Sequence, residues 1–183
     1  MAGTGNLAGH DPVAVARQFG EQVPHSRDLG MQVLAMEADH VCMRLVPAPE
    51  LRADDAAEEL CTSVLYSLVD SACGLAVFAA LRELNPIATL DLRMDYLRPA
   101  ATERVLVATA RCHHLTDDVA FVRCEVSSEE EDGPVAIGNA TFMRGTQGKR
   151  TFCALMVMPR SRSMSMLSRY WSRMSRASTT LDS

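Results

Sequence analysis

CTSVLYSLVDSACGLAVFAALRELNP, residues 61–86, is the stretch on which the fold turns. Together with Leu60, its residues Val64, Leu65, Leu68, Ala72, Leu75, Ala79 and Leu81 recur at spacings of three and four, the period of a helix with a buried face. A second stripe, Tyr66, Asp70, Cys73, Gly74 and Val77, is also largely apolar. A helix apolar nearly all round is enclosed on more than one side, which predicts a sheet against one face and a partner against the other. Thr62 and Ser63 are suited to capping the first turn. Asn85-Pro86 stops the helix, because proline lacks the amide that would continue the ladder. The expected element is one long helix over residues 63–84, carrying Asp70.

Outward from the helix the period changes from helical to alternating. Downstream, four strand signals follow over residues 87–97, 105–113, 119–126 and 135–142, with no second helix between them. The first alternates throughout, with Ile87, Thr89, Asp91, Arg93 and Asp95 expected on one face and Ala88, Leu90, Leu92, Met94 and Tyr96 on the other. Arg98-Pro99, Thr116-Asp117-Asp118 and Asp132-Gly133-Pro134 separate the strands as turns. Upstream, residues 29–36 and 40–46 read as a hairpin across Glu37-Ala38-Asp39, closed by Pro47 and Pro49. The order β-β-α-β-β-β-β describes an α+β architecture, an antiparallel sheet wrapped around one long helix. A short helix is expected before it, with Asp11 as N-cap, Pro12 in the first turn and Phe19 on its apolar stripe.

Composition fits this reading. A chain of 183 residues with 48% apolar residues suffices for one packed core, and a net charge of −5 is ordinary. Asp70, Ser67 and Ser71 interrupt the most apolar stretch, so a membrane span is not expected, and the N-terminus lacks the basic start and apolar run of a secretory signal. The six cysteines show no CxxC or metal-ligand spacing and read as reduced thiols of a cytoplasmic protein, with no metal site. Residues 144–183 hold eight basic side chains against the single acid Asp182, a net of +7, which leaves −12 on residues 1–143. That asymmetry divides the chain into an N-terminal segment (1–23), a central domain (24–145) and a basic C-terminal extension (146–183). In the extension Met164, Leu167, Tyr170, Trp171 and Met174 form an apolar stripe among arginines and serines. It reads as a docked terminal helix, a disordered extension, or a basic amphipathic contact for an anionic surface.

Two motifs lend the domain a family likeness. The helix contains DSACG at residues 70–74, and the next strand reads TLDLRMDYLRPA at residues 89–100. Together with the entry PHSRDLGMQV and the closing AIGNATFMRG, they resemble the hotdog-fold acyl-CoA thioesterases of the phenylacetate-pathway and 4-hydroxybenzoyl-CoA kinds. The likeness covers about residues 24–145. It implies a hotdog fold, hydrolysis of an acyl-CoA-type thioester with no cofactor, and a homodimer or dimer of dimers with sites between subunits, without nucleic acid or a transmembrane segment. In such proteins a helix-borne acid is catalytic, which maps to Asp70, and a Ser or Thr on the following strand helps hold the attacking water, which maps to Thr89. Amides at the helix start bind the thioester carbonyl, which places Cys61, Thr62 and Ser63 at the substrate.

The chemistry of the residues is compatible with that role. A carboxylate on a buried helix is costly to desolvate unless it has a partner or a task. Asp70 is therefore either bonded to a neighbouring backbone or subunit, or acts as general base or nucleophile on the thioester. Thr89 is either a plain strand threonine or a holder of water. Cys61-Thr62-Ser63 stands where the family has His-Gly-Gly, and Asp55 stands where some members have Asn. Asp117 and Asp118, after His113 and His114, occupy a turn that is often basic in the family. These departures leave open a noncatalytic acyl-CoA or small-lipid binding module. Cys61 is a second candidate nucleophile, without an evident His partner. His113 and His114 read as solvated turn residues rather than a metal pair. The hotdog dehydratases need a His that this helix lacks.

Overall fold

The computed structural model describes residues 23–38, 40–54, 58–82, 86–129 and 133–145. The expected N-terminal helix around Pro12, Asp55 and the basic extension lie outside the described residues. A five-residue helix, α1 (Pro24–Asp28), leads into strands β1 (Met31–Met36) and β2 (Val41–Leu45). After a 3-10 turn at Pro49–Leu51 come the long helix α2 (Thr62–Leu81) and strands β3 (Ile87–Tyr96), β4 (Leu106–Leu115), β5 (Val119–Ser128) and β6 (Pro134–Arg144). The six strands form one antiparallel sheet in the order β1-β2-β4-β5-β6-β3. β1 and β2 make the expected hairpin, and β3 reaches the far edge after the helix has crossed the sheet. The architecture is the α+β hotdog arrangement.

The inner face of the sheet is made to receive a helix. Ala108 and Ala110 of β4, Ala120 of β5 and Ala136 and Ala140 of β6 are buried small residues. Larger side chains, Met43, Leu45, Leu106, Val122, Val126 and Phe142, fill the surrounding space. Against them α2 buries Val64, Leu65, Leu68, Val69, Ala72, Cys73, Leu75, Ala76, Val77 and Ala79. α2 is long and apolar enough to cross a bilayer by composition, but 56% of its most apolar window is buried within the fold, as in a core helix.

Helix and sheet pack closely at Gly138. A Cβ there would stand 2.5 Å from Val69 Cγ1 and 3.2 Å from Met94 Sδ. Val69 is fully buried and β-branched, so its rotamer has little freedom to give way. Gly138→Ala is expected to destabilise the protein by about 1–3 kcal/mol in urea unfolding. Adding Val69→Ala should recover part of that loss; two additive losses would mean that the approach is not where we place it.

Several expectations are corrected by the structure. The helix starts at Thr62 and ends at Leu81, short of residue 84, because Arg82 turns left-handed (φ 54°) and donates its N–H to Phe78 O at 2.9 Å. The N-cap is Cys61, so Thr62 and Ser63 lie inside the first turn and do not cap it. The second apolar stripe divides: Cys73 and Val77 are buried, whereas Tyr66 is exposed and Asp70 and Gly74 are half-buried. Within one chain, therefore, only the sheet side of the helix is covered. On β3 the register shifts between Thr89 and Asp91, a bulge that leaves Leu90 unpaired and 52% exposed. A bulge adds one residue to the strand and reverses the alternation beyond it. Ile87 and Thr89 therefore share the helix face with Leu92 and Met94, which the unbroken pattern had placed opposite them. His113 and His114 belong to β4 rather than to the turn, and His114 packs on Phe121 with ring centroids 5.8 Å apart. α1 and the 3-10 turn were unexpected: each begins on a proline and is too short to show a period.

Candidate active site

Two groups of polar side chains line the uncovered side of α2. The first is at mid-helix, where Thr89 Oγ1 donates a hydrogen bond to Asp70 Oδ1 at 2.9 Å. The bulge places this pair: Thr89 precedes it and stands directly across from buried Phe142 of β6. Asp70 is half-buried, and burial raises its pKa above the ordinary carboxylate value while the Thr89 bond opposes the rise. The net direction is upward, so this carboxylate holds a proton more readily than one on the surface.

The second group is at the helix start. Cys61 Sγ lies 3.1 Å from Ser63 Oγ. The Ser63 hydroxyl, and then its backbone N–H, hold the thiol below its ordinary pKa. The first amides of any helix have no carbonyl four residues back and carry the positive end of its dipole, so this turn is disposed to receive a developing negative charge. Tyr96 ties β3 to it, with its hydroxyl 3.4 Å from Thr62 O, and the Tyr66 hydroxyl is 3.4 Å from Leu92 O. At that length the two contacts position rings more than they add strength.

The structure thus brings Asp70 and Thr89 into contact and groups Cys61 with Ser63, while Tyr96 links β3 to Thr62. The candidate thiol Cys61 bonds to Ser63 rather than to a histidine. Sequence reasoning missed one side-chain pair: His25 Nε2 of α1 lies 3.1 Å from Ser67 Oγ, one turn before Asp70. No spacing signal connects positions 42 residues apart. Among the described residues, no group of three or more His, Cys, Asp or Glu side chains is placed to hold a metal ion.

The fold, a six-stranded antiparallel sheet around one long helix, is matched by known proteins. The Thioesterase superfamily model matches residues 62–135, from the first residue of α2 into β6. The medium/long-chain acyl-CoA thioesterase YigI of Escherichia coli (strain K12) is 31% identical over 144 residues, covering 72% of this chain and 92% of that protein. The chain belongs to the thioesterase superfamily. Among solved structures, a Pseudomonas aeruginosa protein superposes with a TM-score of 0.66 at 26% identity, over 73% of this chain and 99% of that one. The E. coli PaaI protein from the phenylacetic acid degradation operon superposes with a TM-score of 0.63 over 73% of this chain and 96% of its own, and at 19% identity it shows the shared fold alone. Family membership makes thioester hydrolysis the general chemistry of this chain.

Proposed function

We propose that the protein hydrolyses acyl-CoA thioesters, with Asp70 as the general base that activates water and Thr89 as the residue that positions it. The observation that carries this reading is the 2.9 Å Thr89–Asp70 bond on the uncovered side of the helix. A general base works best with a pKa near the operating pH, and burial moves Asp70 in that direction. Thr89 occupies one carboxylate oxygen and leaves the other to take the proton. The 31% likeness to an acyl-CoA thioesterase supports CoA as the leaving group.

The complete site takes two chains in this reading. Eight residues of helix separate Thr62 from Asp70, about 12 Å of rise. A thioester carbonyl held by the first-turn amides of one helix is beyond the reach of water held by Asp70 of the same helix. A second copy supplies the complement, with amides near Thr62 and Ser63, beside Cys61, from one subunit and Asp70 from the other. β3 is an edge strand that exposes Leu90 and Tyr96, next to exposed Leu97 and Tyr66, which suits a homodimer or a dimer of dimers. Among the described residues the cysteines are free, which fits a reducing cytoplasm.

A panel of acyl-CoA thioesters assayed for CoA release tests the reaction. Turnover supports it, and ligand binding without turnover would identify a noncatalytic acyl-CoA or lipid module instead. Thr89→Ala tests the positioning role. It should lower kcat by about tenfold or more, as expected when a group that aligns the reacting water is lost. Because the Thr89 bond lowers the Asp70 pKa, its removal should also move the acid limb of kcat to higher pH. Thr89→Ser should restore both. An unmoved acid limb would mean that Thr89 does not act through Asp70.

A further inference from the structure

We propose that residues 162–176 form a basic amphipathic helix that lies on an anionic lipid surface and holds the folded domain beside it. The inference goes beyond the proposed hydrolysis and does not depend on the role of Asp70.

The segment RSMSMLSRYWSRMSR, residues 162–176, lies outside the described residues, and its pattern is read from the sequence. At about 100° per residue, Met164, Leu167, Tyr170, Trp171 and Met174 fall within an arc of about 120°. Arg162, Arg169, Arg173 and Arg176 fall within about 60°, centred about 150° away from the apolar arc. Ser165, Ser168, Ser172 and Ser175 occupy one flank between them, and neither proline nor glycine interrupts the run. No acid in the segment pairs with the arginines. One face is thus apolar and aromatic, and the opposite face carries the four cations.

Which faces are used decides the occupant. Docked on the body by its apolar arc, the helix would turn its arginines away from the acids that attract them. A polyanion such as nucleic acid would take the arginines and leave Tyr170 and Trp171 in water. An anionic lipid surface takes both: the apolar arc enters the acyl boundary while the long arginine side chains reach headgroups. Arginines in successive turns preclude a span, so the helix lies on the surface.

The rest of the chain agrees with this placement. Residues 1–143 carry −12 and are repelled by an anionic surface, whereas residues 144–183 carry +7 and are drawn to it. β6 ends at Arg144, and residues 146–161 are long enough to span about 50 Å when extended. The helix can therefore reach a surface without bringing the sheet against it. The thioesterase match ends at residue 135, so the segment is additional to the shared fold.

Trp171 is the only tryptophan of the chain, so tryptophan fluorescence of the full-length protein reports on this segment alone. Vesicles of phosphatidylcholine mixed with phosphatidylglycerol should shift its emission to the blue and co-sediment the protein. Phosphatidylcholine alone, or the mixed vesicles at high salt, should do neither. Each arginine near an anionic surface is worth about fivefold in affinity, so Arg169→Gln, Arg173→Gln and Arg176→Gln together should weaken binding about a hundredfold. Leu167→Ser with Met174→Ser keeps every charge and should abolish the blue shift. Both variants should melt at the wild-type temperature, because the substitutions lie outside the folded domain. Three results would overturn the inference. Emission already blue in buffer and unmoved by vesicles, with a lower melting temperature for the serine variant, would place the stripe on the body. Sedimentation with anionic vesicles but no blue shift would be the behaviour of a polyanion site that leaves Trp171 in water. Undiminished vesicle binding by the arginine variant would remove the charge argument.

Discussion

Asp70→Asn is expected to abolish most of the turnover and to raise the melting temperature at neutral pH. A positioned general base contributes about 10²- to 10⁴-fold to rate, and an amide cannot take the proton. The substitution is nearly isosteric and its side-chain oxygen can still accept the Thr89 hydroxyl, so geometry is preserved. The stability effect follows from linkage. Burial raises the folded-state pKa of Asp70 above its unfolded value. The folded state then binds the proton more tightly than the unfolded one, and stability falls as pH climbs from the ordinary carboxylate range through the raised value. At neutral pH the ionised group is thus a net cost, which asparagine removes. Melting curves for both proteins should diverge at neutral pH and converge at acid pH, where Asp70 is protonated. An Asp70→Asn protein that is inactive but less stable at neutral pH would show that the carboxylate serves the fold.

Leu68→Ala should do the opposite. Leu68 is fully buried on the sheet side of α2, half a turn away from Asp70. Truncating a leucine in such a site costs about 2–5 kcal/mol through lost contacts and an unfilled cavity. Against a total stability of about 5–15 kcal/mol that is a large share, visible as a fall in the denaturation midpoint in urea. Turnover measured well below the new melting temperature should stay near wild type, because Leu68 faces away from the proposed substrate. A stable Leu68→Ala protein would mean that the helix is not seated through this face. Paired with Asp70→Asn, the substitution separates the scaffold side of one helix from its chemical side.

Much of this was legible in the residues because burial and period are tightly coupled. The Leu65–Leu68–Ala72–Leu75–Ala79 stripe and the four strand signals behind it left few ways to bury both, and the sheet formed as expected. What could not be read depends on contacts distant in sequence. The bulge at Leu90 has no local mark, since the alternation of β3 continues unbroken through it, yet it decides which β3 side chains face the helix. The helix end at Arg82 is equally silent, because arginine is an uncommon left-handed residue and the proline that promised the stop comes four positions later. At the site, Asp70 and Thr89 could be named from the family pattern, but their 2.9 Å bond depends on where that bulge falls. The His25–Ser67 pair needed three-dimensional placement, because it carries no periodic signal.

The most direct test of the central claim, that Asp70 activates water against an acyl-CoA, is one enzyme turnover in heavy-oxygen water with enzyme in excess over a medium-chain acyl-CoA. Water activated by a general base places the heavy oxygen in the released fatty acid during the first turnover, and Asp70→Asn should release almost none in the same time. A first turnover that yields unlabelled acid, with the label found in the Asp70 carboxyl group, would make the residue a nucleophile. Equal release by wild type and Asp70→Asn would contradict the account altogether.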